Sequence, residues 1–275
     1  MEDKIIKKMQ ENGINVTKIS KITNSYSSSV YVVYSNKGKF IFKILYNESK
    51  QKNEAKYLKI LQNDLNVPKL LFSGNINGKY FNVMTFVEGK NLTDEMANIL
   101  SFENIYDLGR LLGKLHNIKF SNNGKNSWHA YLIKSLSKAH QNLKFISLNE
   151  KVYEYLIKYI KMPQNTYDNV LLHLDFRLGN IIIDEKIYLI DFESMKNGDS
   201  CFDFLKIYRI LNKKQFEKFL NGYNSIRKIP INLMERLEFY NIFDAYTSLN
   251  WCYERKALNS DFYNKNIEIL EKKLK

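Results

Sequence analysis

In the first 90 residues the apolar positions follow sheet spacing before they follow helix spacing. Val30-Tyr31-Val32-Val33-Tyr34 is rich in β-branched and aromatic residues. Ser35-Asn36-Lys37-Gly38 is a turn signal, and Lys39 to Leu45 then runs apolar with interspersed lysines. Together they predict a hairpin within a strand region from about residue 15 to 46. From Glu48 to Gln62 the period changes, with Ala55, Leu58 and Leu61 at helical spacing and Val67-Pro68 closing the region. Two further strands are expected at Lys69 to Phe72 and Tyr80 to Phe86, joined by Gly74-Asn75-Ile76-Asn77-Gly78. The opening third therefore reads as about five strands and one helix.

Beyond Val87-Glu88-Gly89 the chain turns helical. Leu108, Leu111, Leu112 and Leu115 form one apolar stripe, and Tyr153, Leu156, Ile157 and Ile160 form another. Short apolar strands are expected at Val170 to Leu172 with Asn180 to Ile183, and at Ile187 to Ile190. From about residue 200 the helical pattern resumes, and no internal repeat occurs. The prediction is an α+β chain of two lobes: an N-terminal antiparallel sheet with one main helix, residues 1–86, and a larger helical lobe, residues 87–275.

Composition narrows the class. With 275 residues, 44% of them hydrophobic, the chain can bury roughly 70–75% of its unfolded surface without a disulfide or metal staple. No apolar run approaches the ~20 residues of a membrane span. The start, Met1-Glu2-Asp3-Lys4-Ile5-Ile6-Lys7-Lys8, is broken by charge at once and does not read as a signal peptide. The two cysteines, Cys201 and Cys252, are distant, and neither CxxC nor HxxxH spacing occurs, so reduced thiols in a soluble cytoplasmic protein are expected rather than a zinc site. The net charge of +13, from 42 Lys+Arg against 29 Asp+Glu, is carried by scattered lysines, which disfavours a nucleic-acid partner. Residues 1–90 hold 15 basic and 7 acidic side chains, so an anionic ligand is favoured there. Oligomeric state leaves no mark on the pattern.

The stretch that carries chemistry is His173-Leu174-Asp175-Phe176-Arg177-Leu178-Gly179-Asn180, followed by Ile190-Asp191-Phe192-Glu193. Asp175 and Asn180 lie at the two ends of a loop between apolar segments, and Asp191 closes an apolar run at a strand end. Two carboxylates and an amide oxygen gathered by a hairpin make an oxygen-rich site of the kind Mg²⁺ prefers, with phosphate oxygens completing its shell. A second carboxylate can orient a hydroxyl and accept its proton.

This H-x-D-x-x-x-x-N pattern, the I-D-F-E that follows it, Gly198-Asp199 and Phe202-Asp203-Phe204 resemble the aminoglycoside phosphotransferase and choline kinase superfamily, which shares the protein-kinase fold. The resemblance extends, in order, through Lys43, Glu54, Asn66-Val67-Pro68-Lys69-Leu70, Val83 to Gly89 and Leu108 to His116, covering about residues 20 to 205. It implies that Lys43 holds the α/β-phosphates of ATP or GTP and that Glu54 pairs with Lys43. It implies Asp175 as base, Asn180 and Asp191 as Mg²⁺ ligands, and Arg177 at the γ-phosphate. The backbones of Thr85 and Val87 would bond adenine with Met84 behind the ring, and Ser27 and Ser28 would line the phosphate loop. That loop, Asn24 to Ser29, has no glycine. Asp-Phe-Glu replaces Asp-Phe-Gly, and no Ala-Pro-Glu follows, so a protein kinase is disfavoured.

Other residues read differently. His173 is expected to brace the loop through backbone hydrogen bonds, His116 to be structural, Asp199 and Asp203 to fix the segment after the metal site, Cys201 to be buried, and Glu193 to lie at or beside the metal. For the acceptor, Asp244, Trp251, Tyr253 and Glu254 combine rings with carboxylates, which suits a cationic amine. Phe243, Tyr246 and Trp251 equally fit a helical core. Gly198-Asp199 resembles the aminoglycoside branch and points to resistance against such an antibiotic, whereas residues 231–275 balance 7 acidic and 7 basic side chains, which does not favour a polycation. Choline, another amino alcohol or a further metabolite is the alternative acceptor. A silent nucleotide-binding pseudokinase is opposed by the intact Asp175, Asn180 and Asp191, and a nucleic-acid binder would have to use the +13 charge.

Overall fold

The computed structural model describes residues 1–22, 28–119, 128–162 and 167–274. In chain order the elements are α1 (Glu2–Glu11), β1 (Val16–Ile22), β2 (Ser29–Ser35), β3 (Gly38–Ile44), α2 (Glu48–Leu61), β4 (Leu70–Ile76), β5 (Lys79–Thr85) and β6 (Lys90–Asn91). There follow a 3-10 turn at Asp94–Ile99, α3 (Phe102–Asn117), α4 (Trp128–Asn142), α5 (Asn149–Ile160), β7 (Val170–Leu172), β8 (Ile181–Ile183), β9 (Ile187–Leu189) and β10 (Lys196–Gly198). The chain ends with α6 (Cys201–Ile210), α7 (Lys213–Asn224), α8 (Leu233–Glu254) and α9 (Asp261–Leu274). Two compact units form: Met1–Leu115 with His173–Met195 and Ile210–Ile226, and His116–Leu172 with Lys196–Arg209 and Arg227–Lys275.

In the first unit an antiparallel sheet has the strand order β1-β2-β3-β5-β4. Its register divides the two faces. Phe42 opposes Val83 and Ile44 opposes Phe81, and these four share one apolar cluster with Ile5 and Met9 of α1. Lys43 opposes Asn82 and so, by the period of two, belongs to the other face. Helix α1 was not expected. Its reason is the i, i+4 pair Ile5 and Met9, both fully buried in that cluster, while Lys7 remains in water. The β4–β5 connection is shorter than the pattern suggested. Gly74 to Ile76 belong to β4, and only Asn77 and Gly78 turn the chain, with φ of 51° and 78°. Two successive positive φ values are what a tight two-residue hairpin needs. Gly74 serves packing instead, since a Cβ there would sit 2.7 Å from the Phe81 ring.

Helix α2 starts at Asn47, whose side chain accepts a hydrogen bond from the Lys50 N–H at 3.0 Å. A small sheet of order β6-β8-β9 supports the segment before Asp191. Helices α3 and α7 approach to backbone contact through glycines: a Cβ at Gly109 would lie 2.0 Å from the Phe219 carbonyl, and one at Gly222 1.9 Å from that of Tyr106.

The second unit is helical, with α4, α5 and α9 against α8. Strand β7 pairs with β10 rather than with β8, an edge the apolar pattern did not reveal because Lys196-Asn197-Gly198 carries no apolar residue. Tyr240, Phe243 and Tyr246 are fully buried core residues. Among the described residues no helix is long and apolar enough to cross a membrane.

Candidate active site

Lys43 leaves the middle of β3 on the face opposite the α1 cluster and is buried. Its Nζ lies 2.6 Å from Glu54 Oε1, 2.8 Å from Asp191 Oδ1 and 3.3 Å from Glu193 Oε2. Burial alone would lower the lysine pKa, but Asp191, Glu54 and Glu193 outweigh it and hold the ammonium well above the ordinary lysine value. Burial pushes the Glu54 carboxyl above its usual value, against the pull of Lys43 and Asn82. For Asp191 burial acts upward too, yet Lys43 wins and holds the carboxyl below the usual range. The second oxygen of Glu54 accepts from Asn82 Nδ2 at 3.0 Å, and Asn82 is itself oriented by the Ser73 hydroxyl, which donates to its Oδ1 at 2.7 Å. Sequence reasoning missed Asn82. The signal was present as a lone amide in the apolar strand Phe81-Asn82-Val83, since a fully buried Asn needs partners for its donors and acceptor.

The second half of the site hangs on two strained positions. Leu174 and Asp191 both have positive φ, 66° and 72°. Non-glycine residues adopt this region rarely, and it clusters at functional loops. His173 holds the two segments together: the Asp175 N–H donates to Nδ1 at 3.3 Å, so Nε2 carries the proton and donates to the Ile190 carbonyl at 3.0 Å. The Ile190 N–H donates to the Asn180 carbonyl, also at 3.0 Å. Asn180 Nδ2 donates to both the carbonyl and the Oδ2 of Asp175, each at 2.9 Å. Arg177 Nε donates to that same Oδ2 at 3.2 Å. Phe176 and Phe192 are buried on either side and anchor the loops.

One Asp175 oxygen is thus held by an amide and a guanidinium. The amide of Asn180 is turned so that its nitrogen meets Asp175, which leaves its oxygen free of that contact. Asp191 is about a third exposed (31%), whereas Glu54 is not. Such a set can neutralise anionic oxygen with Lys43 and Arg177, offer hard oxygen donors from Asn180 and Asp191, and receive a proton at Asp175.

In the linker strand Met84 is buried beside Ile41 and Leu70 of the neighbouring strands. The Thr85 N–H donates to the Lys69 carbonyl at 2.9 Å, so of its backbone groups Thr85 can offer a ligand the carbonyl and not the N–H. Val87 follows at the end of β5, half-buried. Ser28 is half-buried, and Ser27 lies outside the described residues with the rest of segment 23–27.

The four acceptor candidates stand on α8 and engage different neighbours. Asp244 meets Arg209 at 2.6 Å, and Glu254 meets Lys138 at 2.6 Å. Trp251 carries the Arg255 guanidinium over its ring at 4.2 Å, and Tyr253 stacks on Phe145 at 5.9 Å. They are not gathered into one cluster. Asp199 is fully buried, accepting from Tyr240 Oη at 2.8 Å, Arg236 at 3.1 Å and the Cys201 N–H at 3.0 Å. His116 and Asp203 form a buried pair at 3.3 Å. Both carboxylates brace the start of α6.

Residues 18–240 match the model of the phosphotransferase enzyme family. No curated protein matches the sequence. Among solved structures, the ADP-bound aminoglycoside phosphotransferase APH(2'')-Ib is 20% identical, with a TM-score of 0.71 over 99% of this chain and 97% of its own. The gentamicin complex of APH(2'')-IIa is 19% identical, with a TM-score of 0.75 over 97% and 95%. The macrolide 2'-phosphotransferase MphH from Brachybacterium faecium is 14% identical, with a TM-score of 0.72 over 98% of each. At such identities the likeness speaks for a common, protein-kinase-like α+β fold. The family match spans far more than half of the chain and falls on the segments that carry Lys43, Asp175 and Asp191, so the chain belongs to the phosphotransferase enzyme family and is a small-molecule kinase.

Proposed function

We propose that this kinase transfers the γ-phosphate of ATP or GTP to a hydroxyl of a small amine-bearing acceptor, with an aminoglycoside-type compound ahead of choline, another amino alcohol or a further metabolite. The observation that carries the reading is the Lys43 ammonium bracketed by Glu54 and Asp191, in the same unit as the Asp175 carboxylate that Asn180 and Arg177 orient. Residues 1–86 act as the nucleotide lobe and 87–275 as the catalytic and acceptor lobe of a cytoplasmic enzyme.

Lys43 meets the α/β-phosphates, and Glu54 keeps its ammonium in place and charged. The Asp175 carboxylate, oriented by Asn180 and Arg177, aligns the acceptor hydroxyl and takes its proton. Arg177, on a loop residue 40% exposed, exchanges Asp175 for the γ-phosphate. The Thr85 carbonyl accepts from the adenine amino group, and the Val87 N–H donates to the ring, with Met84 behind it and Ser27 and Ser28 toward the phosphates. The donor set fits Mg²⁺: one amide oxygen from Asn180 and the Asp191 oxygen not facing Lys43, both hard ligands. Held there, Mg²⁺ would supply positive charge to neutralise the phosphate oxygens. An acceptor ammonium at Asp244 would replace Arg209 and one at Glu254 would replace Lys138, with Trp251 or Tyr253 offering a ring elsewhere on the same helix.

The test is ADP formation with ATP and with GTP, screened across aminoglycosides and amino alcohols. Turnover with one acceptor class is expected, and Asp175→Asn should lower kcat by ~10²–10⁴-fold while leaving the nucleotide-induced rise in melting temperature intact. An Asp175→Asn enzyme of normal rate removes the base. No turnover together with no nucleotide-induced shift removes the kinase reading. With an aminoglycoside as acceptor, expression in a susceptible bacterium should raise resistance to it.

A further inference from the structure

Helix α2 does more than present Glu54. Lys50, one turn before Glu54, and Asn53, the residue directly before it, reach the segment that follows Asp191. Asn53 Nδ2 donates to the Glu193 carbonyl at 3.0 Å and to the Met195 carbonyl at 3.1 Å. Lys50 Nζ donates to the hydroxyl of the intervening Ser194 at 2.6 Å. One amide group therefore grips the backbone on both sides of Ser194. Asn is a mediocre residue for a helix interior, because its side chain competes for backbone partners, so its place in the middle of α2 calls for a gain elsewhere.

We propose that Asn53 is a positioning residue. Its amide ties α2 to the strand-end segment, so that the Glu54–Lys43 pair and the Asp191 carboxylate keep one registered geometry. The inference rests on the functional reading above for what that geometry serves. Its physical basis is independent of that reading. Asp191 is held in a left-handed conformation, which persists only where neighbours over-determine it. Upstream, the Ile190 carbonyl is held by His173. Downstream, the two Asn53 bonds hold residues 193 and 195. Between these anchors Asp191 has its carboxylate fixed against Lys43. Without Asn53 the carbonyls of Glu193 and Met195 lose their tie to α2, and the links from α2 to this segment that remain, through Lys50, run through a flexible side chain, while Phe192 and Met195 stay buried.

The discriminating variant is Asn53→Asp. It keeps the side-chain shape and loses both N–H donors, and its oxygens face two carbonyl oxygens. Asn53→Ala is the second variant, should the first misfold. Hydrogen exchange in the nucleotide-free protein provides a readout without turnover: amides 191–196 should exchange at least tenfold faster in either variant, with the rest of the β3, α2 and β5 amides unchanged. In the working enzyme kcat should fall by about tenfold or more and half-saturation by Mg²⁺ should rise several-fold, while the acceptor KM stays as in the wild type. A residue that only filled space would leave Asn53→Asp silent. Both variants exchanging and turning over within twofold of wild type would overturn the proposal. Wild-type protein without activity on any acceptor would instead sink the functional reading, and the exchange experiment would still decide the clamp.

Discussion

Replacing Lys43 by Met removes one positive charge from among three carboxylates and puts an apolar chain of similar length in its place. Glu54, almost wholly buried, is the residue that suffers, since Asp191 remains a third exposed to water. Breaking a buried ion pair by deleting one partner costs about 3–5 kcal/mol, because the other charge is left uncompensated. The lower half of that range applies, as Asn82 still donates to Glu54 at 3.0 Å and Glu54 can take up a proton. A loss of about 3 kcal/mol is a large part of the ~5–15 kcal/mol that holds a protein folded. The pH dependence follows from the signs. In the wild type Asp191 has a lowered pKa, so its contribution is present above the unfolded value near ~4 and is lost as pH falls through the folded value. Without Lys43 burial is opposed only by weaker influences, the Asn82 donor at Glu54 and His173 at Asp191, so both folded pKa values lie above the unfolded ones. Such groups favour the fold at low pH and oppose it as pH rises. The stability gap between Lys43→Met and wild type should therefore be largest near pH 8 and shrink on approaching pH 5. Urea unfolding at several pH values measures it, and adding Glu54→Gln to Lys43→Met should restore about 1–3 kcal/mol by removing the stranded charge. A gap below about 1 kcal/mol at pH 8, or one that widens in acid, would refute the electrostatic account of the site.

Two further predictions concern packing around the site. Gly222→Ala would place a Cβ 1.9 Å from the Tyr106 carbonyl, and backbone cannot move aside as a side chain can, so α3 and α7 must separate; a loss of about 1–3 kcal/mol or more is expected, read as a fall in melting temperature. Tyr240→Phe deletes the hydroxyl that donates to Asp199 and accepts from Trp128 Nε1, both at 2.8 Å, leaving a buried carboxylate one donor short; about 1–3 kcal/mol should be lost in denaturant, and a variant as stable as wild type would show that Arg236 and the Cys201 N–H suffice.

How far the chain could be read in advance follows from the range over which each feature is determined. The β2–β3 hairpin, α2 and the strand pair β4–β5 were visible because periodicity and turn residues are local. Helix α1 escaped since two apolar residues, Ile5 and Met9, make too short a stripe to stand out among lysines, although their full burial covers the sheet. Strand β10 escaped because its pairing with β7 is a tertiary fact imposed on polar residues. The candidate loop cluster was legible for a related reason. His173, Asp175, Arg177 and Asn180 lie within eight residues, so the loop that gathers them stood out in the sequence, while the bonds of Arg177 and Asn180 to Asp175 did not. Asn53 was not legible, since an amide in a helix gives no hint that a carbonyl at 193 waits across the fold, and the lone amide Asn82 in an apolar strand signals a need for partners without naming Glu54.

The acceptor side differs in kind. A phosphoryl group is handled by a few atoms in fixed geometry, which a short motif can encode. An acceptor is handled by side chains distributed over long helices, and α8 buries residues from Leu233 to Cys252 around much of its circumference. A helix that is apolar on most sides yields no single stripe from which a binding face can be inferred. Of its four carboxylates, the two acceptor candidates, Asp244 and Glu254, are already matched by Arg209 and Lys138. An amine-bearing acceptor at either carboxylate therefore competes with a side-chain cation. The competition is uneven: Asp244 and Arg209 are both largely covered, whereas Lys138 is more than half exposed. Exposed pairs are worth little and exchange readily. Glu254 is accordingly the carboxylate that an incoming ammonium can capture at lower cost, and Asp244 the one whose pairing an acceptor would have to break.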